Sequence, residues 1–77
     1  MRQIQDMQVE RKLNILRRKL MQWENTLYDA ELDLELATAL EDTALRSNAQ
    51  ERAKKSMRAI DALSSRLEEL ETNADKS

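Results

Sequence analysis

Cysteine, histidine, glycine and proline are all absent from this sequence, and the aromatic residues are Trp23 and Tyr28 alone. Without cysteine there is no disulfide framework, and without cysteine or histidine the side chains that build zinc, haem and iron–sulfur centres are missing, so no cofactor is expected. Catalysis has little to work with either. No Cys or His can serve as nucleophile or base, no glycine-rich loop can cradle phosphate, and the serines and threonines fall at caps and exposed positions, so the chain reads as a non-enzyme. Long apolar runs are lacking as well. The first twenty residues carry six basic side chains, which fits neither a signal peptide nor a membrane span and makes the cytoplasm the expected location, with no membrane partner. A net charge of −2 gives no global reason to bind nucleic acid.

What is present is helix-forming. Leu, Ala, Glu, Arg, Gln, Met and Lys fill most positions of the 77-residue chain, and each favours a helix interior. Val9, Leu13, Leu16, Leu20, Trp23, Leu27, Ala30, Leu34 and Ala37 recur in alternating steps of four and three, a heptad seam. Ala49, Ala53, Met57, Ile60, Leu63, Leu67, Leu70 and Ala74 form a second. A new helix beginning at Thr26 would interrupt the first seam in mid-register, so three short helices are not expected. Between the seams, Ser47 followed by Gln50, and Asn48 followed by Glu51, match helix-starting capping boxes. The reading is an all-α antiparallel hairpin, with a long helix over about residues 2–46 and a shorter one over about 48–72. The hairpin domain is 1–72, and residues 73–77 form a frayed tail.

Charge order supports the reversal. Residues 1–22 carry six basic and two acidic side chains, 24–45 seven acidic, 46–58 five basic and one acidic, and 59–77 two basic and five acidic. Folding back near Ser47 lays Arg52, Lys54, Lys55 and Arg58 beside Asp33, Glu35, Glu41 and Asp42, a choice of orientation more than a large stabilisation. That register pairs Leu34 with Ile60, Leu27 with Leu67, Ala30 with Leu63, Ala37 with Met57, Trp23 with Leu70 and Leu20 with Ala74. A shift of one heptad aligns the seams equally well, so only the capping boxes select it. The long helix would then overshoot by roughly 30 Å at about 1.5 Å per residue, leaving Val9, Leu13 and Leu16 uncovered. Met21, Tyr28, Leu32, Leu36 and Ala39, with Ile4 and Met7 behind them, form another stripe roughly opposite the first. A helix apolar on two faces sits between two neighbours, and one hairpin supplies only one. Association into a coiled-coil-like or four-helix-bundle oligomer, a homodimer first, follows.

The expected interface is therefore Val9, Leu13, Leu16, Met21, Tyr28, Leu32 and Leu36, contacting a second copy or a heterologous protein. Trp23 reads as a core anchor, with a subunit-contact role as the alternative. Glu31 with Glu35, or Asp29 with Asp33, stand at the spacing of metal-binding carboxylates, but the histidines of a di-metal bundle are missing and a solvated acidic face is expected. Glu41 falls where the first seam wants an apolar residue. It reads as a stutter at which Leu40 takes the core position, or else as a partner of Arg52 or Lys54. The competing function is nucleic-acid binding by Arg11, Lys12, Arg18 and Lys19, which could reach phosphates at successive turns but lack aromatics for stacking. A non-enzymatic protein–protein interaction module is the leading expectation, and a segment of a longer coiled coil the third.

Overall fold

The computed structural model describes residues 2–76, with side chains from Met7 to Asn73. Two helices, α1 (Arg2–Leu40, 39 residues) and α2 (Thr43–Lys76, 34 residues), pack along each other. They run antiparallel: Arg46 near the start of α2 bonds Thr38 near the end of α1, and Arg17 reaches Glu71 far along α2. The long axis of 60 Å is what a straight helix of this length gives at about 1.5 Å per residue.

The reversal occupies two residues, Glu41 and Asp42, and lies earlier than the sequence suggests. Glu41 adopts φ 53°, the left-handed conformation that helices commonly use to stop. With it come the two bonds of that C-cap: the Asp42 N–H donates to the Ala37 carbonyl at 2.9 Å and the Glu41 N–H to the Thr38 carbonyl at 3.3 Å. Asp42 then starts the next helix. Its Oδ1 accepts the Leu45 N–H at 3.0 Å, while its carbonyl accepts the Arg46 N–H at 3.1 Å. This side-chain cap satisfies an amide that has no helical partner.

Several expectations change as a result. The first helix ends at Leu40 instead of about 46, and the second begins at Thr43 instead of about 48 and continues to Lys76. Ser47 and Asn48 therefore lie inside α2, where the Asn48 side chain accepts a bond from Arg52 Nε at 2.8 Å. Glu41 is neither a stutter nor an ion-pair partner of Arg52 or Lys54; it is the turn residue itself. The helices are also nearly equal in length, so α1 has no long overhang: Val9, Leu13 and Leu16 are partly buried. Leu70, expected opposite Trp23, instead shares a groove with Leu16, one heptad back along α1. Two side chains of the expected pattern, Ile4 and Ala74, lie outside those described.

The packing is of small residues against small. Ala30, Ala37, Ala49, Ala53 and Ser56 are the buried set, and the larger seam residues surround them partly covered. Met57, expected opposite Ala37, is 49% exposed because Ser56 takes the seam position in its place. The Ser56 hydroxyl donates to the Arg52 carbonyl at 2.7 Å, which satisfies it within its own helix. Its size admits the close approach of helix backbones that a Met would prevent. The resulting rod has an accessible surface of 6315 Å², against roughly 4,900 Å² for a globular monomer of this mass. Its radius of gyration is 17.3 Å, against about 11.5 Å for a compact chain of this length.

Candidate interaction surface

The two helices differ in how they use their surfaces. On α2 the apolar and small residues collect toward α1, and Glu51, Lys54, Lys55, Arg58, Asp61, Glu68 and Glu69 stand exposed. α1 has no such polar back. Met21 is 64% exposed, Tyr28 56%, Leu32 62% and Leu36 49%. At about 100° per residue these four fall on one side of α1, away from the side of Ala30 and Ala37, which are buried. Exposed single hydrophobics are ordinary; a row along several turns, interrupted here by Asn25 alone, is not.

The seven expected interface residues thus divide. Val9, Leu13 and Leu16 are partly buried on the seam that meets α2, with Leu16 beside Leu70 in a shallow groove also lined by Lys12, Ile15 and Arg66. Met21, Tyr28, Leu32 and Leu36 form the uncovered row. Ile15, which adjoins a seam position, and Leu40, expected in the core but 62% exposed because α1 stops there, widen the row along one flank. Trp23 is partly buried on the α2 side with the rest of its seam. Arg11, Lys12, Arg18 and Lys19 are all exposed. Their neighbour Arg17 meets Glu71 at 3.4 Å.

One polar cluster crosses the helices. Arg52 of α2 donates to Asp33 and, at 3.2 Å, to Asp29, both on α1, while its Nε holds Asn48. The hydrogen bond to Asp33 is the main cause of a rise in the Arg52 pKa above its ordinary value, and the charges of Asp33 and Asp29 add to it against some desolvation. A rigid guanidinium fork suits two carboxylates one helical turn apart. Asp29 and Asp33, considered above as a carboxylate pair, are therefore engaged by Arg52, and among the described residues no three His, Cys, Asp or Glu side chains gather to hold a metal. No helix among the described residues is long and apolar enough to cross a membrane. Comparison with family models, with curated proteins and with solved structures finds no match.

Proposed function

We propose that this chain is a non-enzymatic protein–protein interaction module, a small adaptor, assembly factor or partner-binding regulator of the cytoplasm, working as a helical hairpin that associates through α1. The observation that supports this reading is the uncovered row Met21, Tyr28, Leu32 and Leu36, turned away from α2. Leaving such side chains in water forgoes about 1.5–3 kcal/mol each relative to full burial. The first partner is a second copy, giving a homodimer of four helices. The surface in excess of a globular monomer, roughly 1,400 Å² for one chain, is ample for the roughly 800 Å² that each partner buries in a standard protein–protein interface.

The test compares two double variants by light scattering and circular dichroism. Leu32→Glu with Leu36→Glu lowers the association of the chain and preserves its helicity, because these side chains do not hold the hairpin together. Leu13→Glu with Leu16→Glu reduces helicity, since that seam faces α2. A parent chain that stays monomeric, or an association unchanged by the Leu32 and Leu36 substitutions, contradicts the proposal.

A further inference from the structure

We infer that the partner on the exposed α1 row is a second copy lying antiparallel, with the two-fold axis between residues 26 and 27, so that Met21 faces the partner's Leu32, Asn25 the partner's Tyr28, and Arg18 the partner's Glu35. This rests on the interaction reading above and adds orientation and register to it. The argument is from charge. Arg11, Lys12, Arg17, Arg18 and Lys19 crowd the first half of α1, and Glu24, Asp29, Glu31, Asp33 and Glu35 the second. A parallel pairing in register sets base on base and acid on acid along the whole contact. Like charges facing each other across a contact are destabilising, and complementary ones fix orientation.

The same row selects the register. Continued toward the start of α1 in heptad steps, it passes from Met21 to Arg18, and toward the end from Leu32 to Glu35. The alignment with Met21 on Leu32 thus places a base opposite an acid at both ends of a short apolar centre. Sliding one heptad further, to Met21 on Ala39, would still set Arg18 opposite an acid, Asp42 at the turn, but would shorten the overlap to Leu20–Leu40, roughly 30 Å at 1.5 Å per residue. In the chosen register Ile15, 49% exposed, comes beside the partner's Leu36, also 49% exposed, on the flank of the contact. Overlap runs from Leu13 to Leu40, about 40 Å at 1.5 Å per residue.

A geometric consequence follows. Because the row faces away from α2, the four helices lie in the order α2, α1, partner α1, partner α2, a flat layer in which the two α2 helices do not meet. The occupant is also specified against the hairpin's own repertoire, since the outward face of α2 is mainly polar and charged, with Met57 its one large exposed apolar side chain among the described residues, and offers no apolar row to match that of α1.

The chain has no native cysteine, so single-cysteine variants report pairing directly. Arg18→Cys and Glu35→Cys chains are oxidised separately and as a mixture, and Ile15→Cys with Leu36→Cys repeats the experiment with both charges in place. Masses of the reduced samples are measured alongside. The inference predicts a mixed disulfide in each mixture and loss of the cross-link when either chain is alone. Cross-links formed by each chain alone mean parallel pairing and overturn the inference while leaving the interaction reading intact. A dimeric mass with no cross-link in either pair overturns the face and register. A monomeric mass for both pairs and for the parent chain overturns the inference together with the reading it rests on.

Discussion

Glu41 and Asp42 set where the chain reverses. A non-glycine residue in the left-handed region costs on the order of 1 kcal/mol relative to glycine, so Glu41→Gly is expected to raise stability by about that amount in urea unfolding. Asp42→Ala removes the acceptor for the Leu45 amide and is expected to lower it by about 1 kcal/mol. A reversed order of the two midpoints would show that the turn is held by something else. At Arg52, Lys cannot reproduce a fork that reaches Asp29, Asp33 and Asn48 together, so Arg52→Lys lowers the thermal midpoint despite keeping the charge. A pKa raised in the folded state means this contribution is complete below the ordinary arginine range and is lost only as pH rises through the folded pKa, so it persists at neutral and mildly alkaline pH. The turn was the least legible feature of the sequence. Glycine is the residue that announces a left-handed stop, and here a glutamate occupies the place; Asp42 is a capable cap, but the hydroxyl and amide boxes at Ser47 and Asn48 imitate one inside a helix, where the same i, i+3 spacing is simply one turn of surface.

Between the helices, the number, type and antiparallel order of the elements could be read from the two seams and the alternating charge blocks. The register could not, because a heptad pattern is unchanged by a shift of seven residues and only the position of the turn breaks the tie. Ser56 is hidden for a related reason: apolar steps point to Met57, while packing selects the smaller side chain and lets it bond its own backbone. The small buried layer gives a clear expectation. Ala30→Leu or Ala53→Leu forces apart helices that pack through side chains of this size and is expected to cost about 1–3 kcal/mol by overpacking, read from denaturant unfolding. Leu32→Ser, outside that layer and 62% exposed, is expected to change the unfolding of the isolated hairpin little. Both faces of α1 are visible as stripes in the sequence, and the seam pairing already leaves Leu32 and Leu36 outside; what the earlier turn changes is the reach of α2, which brings Val9, Leu13 and Leu16 under partial cover.

For the whole molecule, a two-helix rod of this length presents far more surface than a globular chain of equal mass, and the row Met21, Tyr28, Leu32 and Leu36 within that surface lies on one helix. Charge reversal probes the arrangement proposed for that surface: Arg18→Glu alone and Glu35→Arg alone weaken association, and the double variant recovers it, because the pair changes sign together. Recovery that fails while helicity is retained would place these two residues apart. The central claim is that α1's outward row is covered by another copy of the chain. Sedimentation equilibrium of the parent chain over a wide concentration range tests it most directly: the account predicts a mass rising to twice the 9.0 kDa of one chain, and a mass that stays at one chain throughout would contradict it.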